Sequence, residues 1–253
     1  MRRLYEKDGV QKLLASLLSI LIGLTVGAVV IAIVGLTKQT IGIKGMWDGI
    51  RIIYAGILST GREAGKLTWG FNPQNLGNML FRATPLILTG LSVAIANKTG
   101  LFNIGAPGQY LMGTVGTLYV ALSLNSDVIP AWIIWILAFL AGMILGALWG
   151  CIPGLLKAFR GMNEVLACIM TNWIAANLAT MAFANSNLRN ADVGGKIGYI
   201  KPTVYNNVAT AKMGLDKIFP NSQVNGGILV AIVMAILVYI LLTKTTLGYE
   251  LRA

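Results

Sequence analysis

The sequence predicts an all-α polytopic membrane protein with about six membrane-spanning helices. Three observations carry that prediction. Hydrophobic residues make up 56% of the chain and charged residues 11%, less than half the charged share of an ordinary soluble domain. The apolar residues gather into runs of about 18 or more, the length a helix needs to cross the hydrocarbon layer. The basic residues behind the net charge of +11 lie largely between those runs. There they read as anchors at membrane surfaces, and no basic stripe interleaved with stacking aromatics offers a nucleic-acid footprint.

Taken in order, positions 1–12 form a cytoplasmic leader carrying Arg2, Arg3, Lys7 and Lys12. The run at 13–36 is too long for the apolar stretch of a cleaved signal peptide and reads as an uncleaved first span. Residues 37–75 form an outward loop. Within it Met46, Ile50, Ile53, Tyr54, Ile57 and Leu58 recur at helical spacing, with Asp48 and Arg51 off that face, which predicts a short helix in the membrane interface. The second span covers 76–97, where Pro85 predicts a kink or a broken first turn. An irregular or re-entrant segment near 98–109 leads into a third span at 107–124. The fourth, 130–156, is closed by Lys157 and Arg160, and the fifth is 164–184. An asparagine-rich outward loop at 185–225 precedes the last span, 226–243, and residues 244–253 begin a cytoplasmic segment. With the N-terminus inside, Lys157, Arg160, Lys244 and Arg252 also fall inside, as the positive-inside rule favours.

Composition and motif spacing exclude several chemistries. The chain has no histidine, and Cys151 and Cys168 lie in apolar runs where a thiol acts as a small hydrophobe. His-based triads and the usual zinc sites are therefore excluded. Gly61-Arg62-Glu63-Ala64-Gly65-Lys66 has the wrong spacing for a Walker A loop, and Leu67 replaces its hydroxyl. No catalytic residue, metal or cofactor is expected. The spans lack Asp, Glu, Lys and His apart from Glu164 at the start of the fifth. That argues against a proton- or ion-driven pump and assigns the energy source to another subunit. Glu164 itself suits a helix N-terminus, whose dipole stabilises an acid, or else a coupling role.

Ala138, Gly142, Gly146, Gly150 and Gly154 stand four apart on the fourth span. They form a row that lets a neighbouring backbone come close. Gly105, Gly113, Thr117 and Ala121 repeat the idea more weakly on the third. The segment from Asn97 to Gln109 holds three glycines, a proline and several amides between apolar helices. Irregular backbone at membrane depth must be buried in protein or line a cavity, so two readings stay open. The segment is a capped turn, or it is part of a substrate path bearing Phe102, Asn103 and Gln109. Asn172 and Trp173 leave a similar choice: an amide and a ring for a polar aromatic substrate, or an interhelical hydrogen bond and a packing residue.

Three stretches carry a family resemblance. Ala83-Thr84-Pro85-Leu86-Ile87-Leu88-Thr89-Gly90-Leu91, followed by Gly100-Leu101-Phe102-Asn103-Ile104-Gly105-Ala106-Pro107-Gly108-Gln109, resembles the signature of ABC permeases for nucleosides and simple sugars. Gly161-Met162-Asn163-Glu164-Val165, with Met170 and Asn172 beyond it, is similar to the start of that family's fifth span. Thr245 to Ala253 resembles the first part of its cytoplasmic coupling loop, with Gly248, Glu250 and Arg252 as the coupling candidates. The family commonly has Glu where this chain has Pro107. The resemblance implies the architecture of ribose and vitamin-B12 importers, in a bacterial plasma membrane. It implies three partners: a cytoplasmic ATPase, a second permease subunit and an extracellular substrate-binding lipoprotein. It also implies that the chain is the first part of a longer permease, with about four further apolar runs. The competing readings are a secondary transporter of small polar solutes and a non-transporting membrane scaffold.

Overall fold

The computed structural model describes residues 8–37, 42–56, 59–63, 66–184, 186–188 and 209–251. Its elements in chain order are α1 (Asp8–Thr37), α2 (Gly42–Ala55), β1 (Ser59–Glu63), β2 (Lys66–Trp69), α3 (Pro73–Lys98), α4 (Ala106–Ser123), α5 (Ala131–Arg160), α6 (Glu164–Ala184), α7 (Leu215–Ile218), α8 (Gly227–Lys244) and α9 (Thr246–Glu250). Helix dominates as expected. Among the described residues the departure is the antiparallel β1–β2 hairpin, which forms within the segment read as loop. Among the described residues five helices are long and apolar enough to cross a membrane: α1, α3, α5, α6 and α8. The remaining expected span, α4, is an 18-residue helix diluted by Gln109, Thr114, Thr117 and its glycines. It needs less apolar surface because it is covered by protein: Ala106, Gly108, Met112, Gly116, Ala121 and Leu122 are all buried. Large apolar side chains elsewhere stand exposed, Leu18, Ile22, Leu148 and Ile236 among them. In a membrane protein such surface meets lipid or a partner.

The chain divides into two compact units. The first comprises residues 1–78 with 218–222. Here α2 doubles back along α1, the backbone of Gly35 lying under Met46 and that of Gly49 facing Ile31. The amphipathic helix expected in the first loop thus packs one side on the first span, while Ile43, Lys44, Trp47 and Arg51 remain exposed. Asn75 Nδ2 donates to the Gly56 carbonyl at 2.5 Å. Gly77 admits the 218–222 segment, since a methyl group there would stand 2.5 Å from Ser222 Oγ.

The second unit comprises residues 79–217 with 223–253. α3 begins earlier than predicted, at Pro73, so Pro85 lies near the helix centre and breaks no first turn. α4 packs chiefly on α5 and also on α6. The α4–α5 contact is backbone against backbone. A Cβ on Gly146 would lie 3.2 Å from the Gln109 carbonyl oxygen, one on Gly113 3.2 Å from the Gly142 oxygen, and one on Gly116 2.8 Å from the Ala141 oxygen. Gly142 faces Thr117 and Gly150 faces the Gln109 side chain, whereas nothing lies within 4 Å of a Cβ on Gly154. The row predicted on α5 therefore meets α4 over three of its glycines, and the fourth lies beyond the contact. Cys168 is buried, but Cys151 is exposed on α5 rather than a core residue.

Candidate functional site

The link between α3 and α4 is a tight elbow built by standard capping chemistry. Gly100 adopts φ 71°, which lets the Leu101 N–H reach the Ala96 carbonyl at 2.9 Å and the Gly100 N–H reach that of Asn97 at 3.4 Å. This is a Schellman cap, and it satisfies carbonyls that the helix end would leave bare. Past it, Asn103 Oδ1 accepts the Gly105 N–H at 3.0 Å, and α4 starts with a proline in its first turn, where the missing N–H costs little.

The amides predicted from sequence meet at this elbow and bond one another. Asn103 Nδ2 donates to Gln109 Oε1 at 3.2 Å and to Ser92 Oγ on α3 at 3.2 Å. Gln109 Nε2 donates back to Asn103 Oδ1 at 3.2 Å. Asn103 thus has both amide protons and both oxygen lone pairs engaged. Ser92 belongs to this network although its small side chain in an apolar run offered no signal in the sequence.

Asn172 ties the elbow to α6. Its Nδ2 donates to the Ile104 carbonyl at 3.0 Å and its Oδ1 accepts the Gly108 N–H at 2.9 Å. Gly108 lies in the first turn of α4, so Asn172 caps from a neighbouring helix a donor that no residue of α4 can satisfy. A methyl group on Gly108 would stand 2.6 Å from that Oδ1, which is why the approach needs glycine. Trp173 is 71% exposed, so the adjacent residues Asn172 and Trp173 serve different surfaces.

Two clefts border the elbow. The larger, about 800 Å³, is lined by Arg82, Pro85, Leu86, Thr89, Gly90 and Val93 of α3, by Phe102, Asn103 and Ile104, and by Ala106, Pro107 and Tyr110 of α4. The smaller, about 170 Å³, runs past Leu101, Phe102, Asn103 and Gln109 to Gly150, Pro153, Gly154, Lys157, Glu164 and Cys168. Phe102 and Asn103 line both, so these two residues form a partition between the clefts. On the far side of the smaller cleft, Lys157 Nζ and Glu164 Oε1 pair at 2.9 Å. The pair closes the α5–α6 turn, where Gly161 adopts φ 62° and Asn163 Oδ1 accepts the Val165 N–H at 2.8 Å.

The coupling candidates are separate from the elbow. Gly248 is buried in α9, and a Cβ there would strike the Leu241 carbonyl oxygen at the end of α8. Thr245 Oγ1 accepts the Gly248 N–H at 3.0 Å. Glu250 is exposed, and Arg252 falls outside the described residues.

The family described as "Branched-chain amino acid transport system / permease component" matches residues 75–253, which include the elbow, both clefts and α9. The chain belongs to this permease family. It is accordingly a multi-pass membrane protein. It is 32% identical to the guanosine ABC transporter permease protein NupP of Bacillus subtilis, over 95% of this chain and 61% of that protein. It is also 32% identical to the nucleoside ABC transporter permease protein NupB of Lactococcus lactis, over 96% of this chain and 60% of that one. The glucose ABC transporter permease protein TsgB13 of Haloferax volcanii is 34% identical over 69% of this chain and 46% of its own length. The chain thus spans about three fifths of the length of the first two relatives. No solved structure matches it.

The larger cleft is also lined by a residue that sequence reading passed over. Arg82 is the sole charged side chain between Leu76 and Asn97, and a charge inside a span marks a candidate functional position by itself.

Proposed function

We propose that this chain is a transmembrane permease subunit of an ATP-binding cassette importer, passing a nucleoside or simple sugar across the cell membrane. One observation carries the reading: Phe102 and Asn103 separate a large cleft from a small one, in a stretch of irregular backbone between two helices. A conduit needs such a partition, because its two ends must not be open together. The amide clasp gives the partition a defined closed arrangement that a shift of α3, α4 or α6 would undo. The matched family and the relatives named for nucleosides support the substrate class.

The working assembly in this reading has a cytoplasmic ATPase, a second permease subunit and an extracellular binding lipoprotein. Gly248 and Glu250 are the candidates to meet the ATPase. Uptake of labelled nucleoside by cells carrying the assembly tests the proposal. Uptake should stop when the ATPase is inactivated and survive collapse of the ion gradient while ATP is maintained. Uptake that follows the gradient and ignores the ATPase would replace this reading with a secondary transporter.

A further inference from the structure

Resting on the importer reading, we infer that Arg82 is the specificity-determining residue of the larger cleft. Its guanidinium recognises the exocyclic ring carbonyl of a neutral, flat heteroaromatic substrate such as an oxopurine or oxopyrimidine nucleoside. Arg82 lies on α3, a helix of membrane-spanning length and composition. With α3 centred on the hydrocarbon layer, its Cα sits about 5 Å from the midplane, at 1.5 Å of rise per residue. A cation at that depth is costly against lipid tails and is found facing a bundle interior or a water-filled cavity. Arg82 lines the cleft of about 800 Å³. Among the described residues it has neither an ion-pair nor a hydrogen-bond partner. The same face of α3 contributes Leu86, Thr89 and Val93 to that cleft, so this face looks onto the path.

The rest of the lining selects among ligands. Phe102 is 53% exposed and Tyr110 51%, which offers two aromatic faces beside the cation. Free acceptors are scarce. The Thr89 hydroxyl donates to the Pro85 carbonyl at 2.8 Å and keeps only its lone pairs as an acceptor, Asn103 is saturated by its own network, and the lining contains no carboxylate. A plain sugar presents many hydroxyl donors and would find little to accept them. A zwitterionic amino acid would have its ammonium unmatched, and a nucleotide would bring more negative charge than one arginine offsets. A flat ring with a carbonyl fits, since arginine's planar fork supplies donors but no acceptor and pairs well with a ring carbonyl beside a ring nitrogen.

The test is uptake by cells producing the full permease with its ATPase, second permease and binding protein. Two probes are compared: inosine, which carries the ring carbonyl, and purine riboside, which lacks it. The variants are Arg82→Met and Arg82→Lys, each measured at matched membrane abundance. One charge-assisted hydrogen bond should favour inosine over purine riboside by about tenfold in the parent assembly. Arg82→Met should bring that ratio close to one, and Arg82→Lys, which keeps the charge and loses the fork, should lower it severalfold. Because the same binding protein serves every variant, a change in ratio belongs to residue 82. An unchanged ratio in both variants overturns the assignment while leaving the importer reading intact, as does an equal loss of both probes. A parent assembly that takes up neither probe overturns the nucleoside substrate and with it the role given to Arg82, whereas ATPase-dependent uptake of a simple sugar would keep the importer reading.

Discussion

Asn172 offers the sharpest test of how the elbow is held. Replacing it by alanine leaves the Gly108 N–H and the Ile104 carbonyl, now bonded at 2.9 and 3.0 Å, without the side chain that joins them to α6. Gly108 is buried, so water cannot readily take the place of the lost acceptor. Interhelical hydrogen bonds in membrane proteins average about 0.6 kcal/mol and reach about 1.7 kcal/mol. Two bonds lost together, one of them from a buried donor, should cost about 1–3 kcal/mol. For a domain of this size that corresponds to a fall in Tm of about 2–12 °C, at about 2–4 °C per kcal/mol. The measurement is thermal unfolding of the full permease in detergent, with Trp173→Ala as control. Trp173 is 71% exposed, and its removal should shift Tm by less than about 1 °C. Equal shifts for the two variants would refute the claim that α6 clamps the elbow through Asn172. Nucleoside uptake measured alongside should fall in Asn172→Ala and hold in Trp173→Ala.

Other outcomes follow from the same geometry. Gly146→Leu should lower detergent stability by several kcal/mol, because the side chain must enter where the Gln109 carbonyl stands 3.2 Å from a Cβ. Leu145→Ala should cost less than Gly146→Leu, and Gly154→Ala should be tolerated, since nothing lies within 4 Å of that Cβ. A Gly154→Ala loss as large as that of Gly146→Leu would mean that the row packs along its whole length. Asn103→Ala and Gln109→Ala should each lower uptake severalfold at unchanged membrane abundance, through loss of the mutual amide pair. Full transport by both variants would reduce the elbow to a simple turn. Topology is checked by single-cysteine labelling in a background lacking Cys151 and Cys168. A cysteine at Lys212 should react with an impermeant reagent in intact cells and one at Thr245 should not, and the opposite pattern would invert the orientation.

Much of this architecture is legible in one dimension. An apolar run must satisfy its backbone internally in lipid, so run length alone locates the helices. The apolar runs at 164–184 and 107–124 fall on the helices Glu164–Ala184 and Ala106–Ser123. The elbow is legible for a related reason: Gly100 is the residue that takes φ 71° without strain, and proline suits the first turn of α4. Periodicity on α5 likewise marks a close-packed face, since residues four apart share one side of a helix.

What sequence could not decide is which neighbour each side chain meets. Gly154 has the same spacing as Gly146, yet α4 meets α5 only as far as Gly150. Asn172 and Trp173 are adjacent in the chain but about 100° apart around α6 at 3.6 residues per turn, so one binds the elbow and the other stands exposed. Asn103 and Gln109 read equally as groups awaiting a substrate until their distances reveal that they bond each other. In the β1–β2 hairpin only Leu67 and Trp69 of the four-residue β2 alternate with polar residues and β1 has no apolar side chain, which is too short a pattern to mark a hairpin in the sequence. Arg82 shows the division most plainly. Its presence inside a span is a fact of sequence, but its place on a cleft with two exposed aromatic rings is a fact of packing. Hydropathy sums over a helix and carries no direction around it, whereas contact depends on which way each side chain points, and only the tertiary structure supplies that.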